Sequence, residues 1–271
     1  MDGLRVSPWE RHGYDRLYVN TPDGTAVAWF DRKTGHLQIK DERFRDAALS
    51  ALARHLPSPA PAYPPPPAHD LALRRPGQAL RDKVQREGPG RVGRTLAWIL
   101  RRPPSPWQLG LRGERVVGRE LTRLSRRGWS ALHSIPLSPT WDIDHLLIGP
   151  GGVFSINTKN HHGRSVWVGD HSVRVDHGPG RPYVRNSRRE AAVVQKVLER
   201  GCGFPVVVNP LLVFVRPARL DTVASLTDVG ALEDRGLPGF TSLPGVLRPD
   251  QVAALYAVAR DHRSWPAERS P

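Results

Sequence analysis

The sequence predicts a chain of mixed helices and strands, in which a small antiparallel meander with one helix precedes a much larger unit. Three observations lead there. Near the start, short strand-like runs are separated by connectors rich in Pro and Gly. From Trp107 onward, apolar residues recur at helical spacing in some segments and fill short β-type runs in others. The 271 residues are 39% apolar and 24% charged, which permits a packed core and argues against wholesale disorder.

The elements follow in order. Strands are expected over 16–20, 25–31 and 36–40, joined by Thr21-Pro22-Asp23-Gly24 and Arg32-Lys33-Thr34-Gly35, whose Pro and Gly suit tight turns. Asp41 to His55 reads as a helix with Phe44, Ala47, Ala48 and Leu52 to one side. Residues 1–55 form a unit near the lower size limit for independent stability, so it is expected to lean on the rest. Residues 56–78 read as a Pro-rich linker, because Pro57, Pro59, Pro61 and Pro64–Pro67 favour extended backbone. A basic helical connector follows over 79–106, with a short helix at Arg94–Arg102. The main domain is expected over 107–265, and 266–271 is a tail.

Within that domain, Gly113–Arg127 is helical, with Val117, Leu121 and Leu124 on one face. Arg112, Arg115, Arg119, Arg123 and Arg126 form a stripe on the opposite face. Glu114 projects from the core side, where a carboxylate is either a site residue or a first-turn acid favoured by the helix dipole. Asp142–Ile148 and Val153–Lys159 make a hairpin around Gly149-Pro150-Gly151-Gly152. With that loop length Ile148 faces Val153, Asp144 faces Asn157, and Asp142 faces Lys159. Alternation then puts Asp144, Asn157 and Lys159 on one side, and Ile143, Leu147, Phe154 and Ile156 on a buried reverse side. A second hairpin pairs Val166–Val168 with Val173–Val175. Ser187 and Glu190 have capping-box spacing at the start of a helix ending at Gly201. Val206–Val208 and Leu211–Val215 read as strands interrupted by Asn209-Pro210, and Pro249 opens a closing helix that runs to about Asp261.

Composition narrows the chemistry. Lys and Arg total 40 against 26 Asp and Glu, a formal charge of +14. Residues 71–127 hold fifteen basic and four acidic side chains, a local field suited to phosphate backbones. A solvated arginine-rich surface is the plainer alternative. Cys202 is the single cysteine, which excludes an intrachain disulfide and a cysteine-rich zinc site. No apolar run approaches a membrane span and the N-terminus lacks a signal-peptide core, so a cytoplasmic soluble protein is expected.

A carboxylate, an amide and an ammonium at one end of a hairpin suit phosphodiester hydrolysis with a hard divalent cation. They equally suit a cross-strand polar ladder with a surface salt bridge. The motif order favours the first. Gly113-Glu114 opening a helix, then Ile143-Asp144-His145, then Gly151 through Asn160 (GGVFSINTKN) resembles the nuclease-related domain (NERD) family of the PD-(D/E)XK, restriction-endonuclease-like superfamily. The resemblance covers roughly Trp107 to Trp265. It implies an α/β fold with a central mixed sheet flanked by helices, and Mg²⁺- or Mn²⁺-dependent cleavage of nucleic acid. By position it implies that Asp144 binds metal, Lys159 is the motif lysine, and Glu114 is the helix-borne acid. Nucleases of this superfamily often use a helix glutamine, which points to Gln195.

One position departs from the family pattern: Asn157 stands where Glu is usual. The amide keeps an oxygen and removes a charge, so Asn157 is a weaker candidate ligand. Two readings follow, a working nuclease in which Glu114 and Asp144 carry the cation, or a non-catalytic nucleic-acid-binding module. DNA is the expected partner, with the arginine stripe as its contact surface. A protein-interaction adaptor acting through the Pro-rich linker, or self-association, is a third reading. His161 and His162 are further candidates to touch phosphate or metal, although adjacent histidines point in different directions. Cys202 lacks an activating partner and is not expected to be a nucleophile.

Overall fold

The computed structural model describes residues 3–11, 13–34, 36–53, 55, 66–87, 105–138 and 140–265. The short helix expected at Arg94–Arg102, the first ten residues of the expected linker and the tail lie outside them.

The N-terminal sheet is an antiparallel meander of four strands, β1 (Arg5–Arg11), β2 (Tyr14–Asn20), β3 (Ala26–Asp31) and β4 (Leu37–Ile39), in the order β1-β2-β3-β4. The sequence reading missed β1. Its residues are mostly exposed and include Pro8, which an edge strand tolerates, so no inside–outside alternation marks it. The expected helix begins as a 3₁₀ turn at Glu42–Phe44 and continues as α1 (Arg45–Ala53). Its buried stripe is Ala48, Leu49, Ala51 and Leu52, whereas Ala47 is exposed. Leu17, Val19, Phe30 and Leu52 share one apolar cluster with Leu146, Val153 and Leu198, so the meander is packed into the main core.

The stretch after Pro66 is built into the molecule as well. Two 3₁₀ turns, Pro67–His69 and Leu71–Leu73, lead to α2 (Gln78–Glu87). The next helix, α3 (Pro106–Arg123), starts seven residues before the expected Gly113. Ser105 caps it, Pro106 occupies its first turn, and Gln108 completes a capping box.

The central sheet contains β5 (Ser130–Ser138), β6 (Trp141–Gly149) and β7 (Gly152–Asn160), followed after an excursion by two more strands. The excursion is the hairpin of β8 (Ser165–Val168) and β9 (Val173–Val175), then α4 (Tyr183–Cys202). β10 (Val208–Val215), β11 (Arg219–Thr222), β12 (Gly230–Glu233) and α5 (Pro249–Arg260) complete the chain. The five-stranded order is β12-β10-β7-β6-β5, and a smaller sheet has the order β11-β8-β9. β5, β6 and β7 are antiparallel, while β10 runs parallel to β7 and β12, which makes the sheet mixed.

β10 is continuous through Asn209-Pro210, contrary to the expected interruption. Pairing with β12 begins only at Leu211, so Pro210, which has no N–H to donate, has a strand neighbour on one side only. Helices cover both faces of the sheet. Val117, Leu121 and Leu124 of the α3 segment pack with Leu147, Ile156 and Val213. Ala191, Val194 and Leu198 of α4 and Leu255 of α5 pack with Leu146, Ile148 and Val153. Ile143 belongs to this second cluster and not to the face of Leu147 and Ile156, as alternation alone had placed it.

Candidate active site

The β6–β7 hairpin has the register that its short tip dictates. Gly149 pairs with Gly152, Ile148 with Val153 and His145 with Ile156. Beyond that pair the ladder gives way to a side chain: Asp144 Oδ2 accepts a hydrogen bond from the Thr158 N–H at 2.6 Å. This fixes the Asp144 carboxylate at the place where the two strands part.

α3 approaches the same place from across β7. Gly113 lies so close to the strand that a Cβ there would sit 3.0 Å from the Asn160 Cβ and 3.4 Å from Thr158 Cγ2. Glu114 is thereby buried at 4% exposure. The nearby Gly77 N–H slightly lowers its proton affinity, while its Oε2 has no hydrogen-bond partner. Gly77 has φ +72°, and a Cβ there would meet the Leu111 side chain at 2.3 Å, so the position requires glycine. The end of the expected linker therefore contributes to the site. Arg74 Nε donates to the Ser134 carbonyl at 2.7 Å and the Gln78 N–H to Ser134 Oγ at 3.0 Å, which pins this segment to β5.

Glu114, Asp142, Asp144 and Lys159 line one cavity of about 740 Å³. Trp107, Leu109, Leu80, Arg181, Tyr183 and His161 line it as well. Lys159 Nζ sits 4.8 Å from the centroid of the Tyr183 ring, and His161 stacks on that ring at 5.9 Å. Arg181 Nη1 donates to the Tyr183 hydroxyl at 3.3 Å.

Burial raises the proton affinity of all three carboxylates, and Asp144 adds its like charge to the other two. Desolvation, then the charges of Asp144 and Asp142, hold Glu114 well above the usual carboxylate range. Desolvation and Asp144 push Asp142 up to about 7. Asp144 is also raised by desolvation, against the opposing effects of Lys159 and the Thr158 N–H. His161 is lowered to about 4 by burial first and then by Arg181, Lys159 and Arg164.

Asn157 is buried but does not line the cavity. Its Nδ2 donates to both carboxylate oxygens of Glu190 on α4, each at 2.9 Å, and Trp141 Nε1 donates to Glu190 Oε1 at 3.3 Å. Burial and Asp144 raise Glu190 to about 7, against Asn157, Lys159 and Trp141. This corrects the capping-box reading. α4 starts at Tyr183, Ser187 lies inside it with its hydroxyl buried and unpartnered, and Glu190 faces the sheet. Gln195 donates to Glu199 at 3.0 Å and is not part of the cavity.

Arg112, Arg115, Arg119, Arg123 and Arg126 are exposed, on the side of α3 away from Glu114. Arg123 pairs with Glu120 at 2.6 Å and Arg119 donates to the Arg115 carbonyl. His162 is exposed, and Cys202 is buried with its thiol pushed up to about 12 by desolvation. Sequence reasoning missed Asp142, Gly77, Tyr183 and Glu190 as members of this neighbourhood. Asp142 was findable, because it lies two residues from Asp144 on the same strand.

Among the described residues, no three or more His, Cys, Asp or Glu side chains converge as closely as the ligands of a bound metal. Of the residues that line the cavity, Glu114 Oε2, Asp142 Oδ2, Thr158 Oγ1 and His161 Nε2 are nevertheless buried atoms without hydrogen-bond partners. The unsatisfied carboxylate oxygens fit a hard divalent cation.

The site thus lies in a mixed sheet flanked by helices, with carboxylates and a lysine gathered where two of its strands part. Residues 109–215 match the model of the nuclease-related domain, a family whose general kind is the restriction-endonuclease-like superfamily. No curated protein and no solved structure matches the chain. No helix among the described residues is long and apolar enough to cross a membrane.

Proposed function

We propose that the chain is a divalent-metal-dependent nuclease that hydrolyses phosphodiester bonds, with DNA as its substrate. The observation that carries this reading is the meeting of Glu114, Asp142, Asp144 and Lys159, from α3, β6 and β7, in one cavity of a chain that matches the nuclease-related domain. Asp144 and Glu114 would hold Mg²⁺ or Mn²⁺ with water completing the set, and the ion would supply Lewis acidity toward a phosphoryl oxygen and make water a better nucleophile at neutral pH.

The chain's own groups do the rest. The Thr158 N–H holds Asp144 in orientation before substrate arrives, and burial between α3 and β7 holds Glu114. The Lys159 ammonium, placed by Tyr183, orients the attacking water and offsets charge that builds on the phosphate. Arg181, which lines the cavity, takes a neighbouring phosphate.

Asn157 favours a second reading, a nucleic-acid-binding module that does not cut, since the residue at this strand position carries no charge. One experiment separates the two. Purified wild-type protein is expected to cleave duplex DNA with Mg²⁺ or Mn²⁺ and not with chelator. Lys159→Ala is expected to lower the rate about 10²–10³-fold while leaving DNA binding in place. Equal cutting by both proteins would defeat the nuclease reading, and binding without cutting by wild type would establish the module.

A further inference from the structure

We infer that Asn157 and Glu190 are an exchanged amide–acid pair, in which α4 supplies through Glu190 the negative charge that β7 lacks at position 157. The inference rests on the nuclease reading and names a positioning residue for its cation site.

The hydrogen bonds define the pair. Asn157 turns its amide nitrogen toward Glu190 and bridges both carboxylate oxygens at 2.9 Å, while Trp141 holds Oε1 at 3.3 Å. The amide oxygen consequently points away and is left buried without a partner. An acid at 157 would set two carboxylates within hydrogen-bond distance of each other, which like charges forbid unless they share a proton. The two positions thus hold one acid between them, and Asn157 is the residue type that a helix-borne Glu190 requires.

Stability does not explain Glu190. It is 3% exposed, and no ion pair involves it among the described residues. The charge nearest it in effect is the like charge of Asp144. A buried carboxylate under those conditions destabilises a fold unless a cation joins the group. Lys159 supplies part of the compensation, and a divalent ion in the adjacent cavity would supply more. Glu190 does not line that cavity. It stands one layer behind, where it adds to the negative potential at Asp144 without touching substrate.

The test uses the full chain as wild type, Glu190→Gln, Asn157→Glu and the double exchange Asn157→Glu/Glu190→Gln. Mn²⁺ affinity is measured by calorimetric titration, and unfolding temperature without metal. Glu190→Gln keeps an acceptor for Asn157 and is expected to unfold no lower than wild type while binding Mn²⁺ about 10–100-fold more weakly. Asn157→Glu alone is expected to unfold at a lower temperature. The double exchange is expected to recover most of the lost Mn²⁺ affinity. Unchanged affinity in Glu190→Gln overturns the pair, as does a double exchange that binds no better than Glu190→Gln. Should the double exchange not fold, Glu190→Gln alone still decides. If Glu190→Gln binds Mn²⁺ and cuts DNA as wild type does, the pair fails and the nuclease reading stands. A wild-type chain that neither binds Mn²⁺ nor cuts defeats both.

Discussion

Glu114 is the residue most at odds with its surroundings. It is held 4% exposed, its Oε2 has no partner, and Asp144 and Asp142 both act on it with like charge. Such a group lowers the stability of the metal-free fold, a cost accepted at sites that have a ligand to receive. Glu114→Gln keeps the shape and removes the charge. In chelator it is expected to unfold about 2–4 °C above wild type, corresponding to roughly 1 kcal/mol for a domain of this size. Its Mn²⁺ affinity in titration is expected to fall. A metal-free unfolding temperature below that of wild type would show that Glu114 serves the fold and not the cavity. The placement of Asp144, Lys159 and Glu114 was legible in the sequence, because a hairpin tip of fixed length sets the register and helical period sets the face of α3. Glu190 was not legible. Its spacing from Ser187 mimics a cap, and only the packing of α4 against the sheet turns it toward Asn157.

Among the elements, those defined by periodicity appeared where expected, and their boundaries moved wherever a neighbour supplied what the local sequence lacked. α3 gained two turns through Ser105 and Gln108, a capping box present in the sequence but obscured by the prolines around it. β10 runs through Pro210 because its neighbour on one side starts a residue later. The segment after Pro66 has no periodicity of its own and is held from outside. Asp70 forms an ion pair with Arg260 at the end of α5 and accepts from the Ala72 N–H at 2.9 Å. The Arg260 guanidinium, aided by the Ala72 N–H, holds the Asp70 carboxyl below its ordinary value of 3.8. A carboxyl whose pKa is lowered by folding stabilises the fold above its unfolded pKa, and that contribution is lost as pH falls through the folded pKa. Asp70→Asn is therefore expected to cost on the order of 1 kcal/mol at pH 6–7, as a partly solvent-screened pair does. The gap between variant and wild type in denaturant unfolding should close below about pH 4. A gap that stays constant down to pH 3 would mean that the Asp70 charge is not what ties this segment to α5.

For the molecule as a whole, the proposed function requires a place where its positive charge meets a phosphate backbone. The net charge of +14 is concentrated in 71–127, a segment that includes the arginine stripe on α3. That stripe faces solvent on the side away from Glu114, and Arg123 is already paired with Glu120. Arg181 is better placed. It lines the cavity of Asp144 and Lys159 and also a neighbouring open cavity of about 460 Å³ with His171, Arg185 and Arg188. Arg188 is bound to Asp228, whereas Arg181 and Arg185 are in no ion pair among the described residues. A strand cut at Lys159 would lay its flanking phosphates along Arg181 and Arg185. Each phosphate contact contributes about 0.9 to the slope of log K against log salt for duplex DNA and about 0.7 for single strands. Arg181→Ala/Arg185→Ala is thus expected to lower that slope by about 1.4–1.8, and Arg115→Ala/Arg119→Ala to leave it nearly unchanged. Fluorescence-anisotropy titrations of a short duplex and of one of its strands, from low to physiological salt, measure the slopes directly. A full loss of slope in the α3 variant, with none at Arg181 and Arg185, would place the backbone across α3. It would then leave Arg181 without a role in holding nucleic acid.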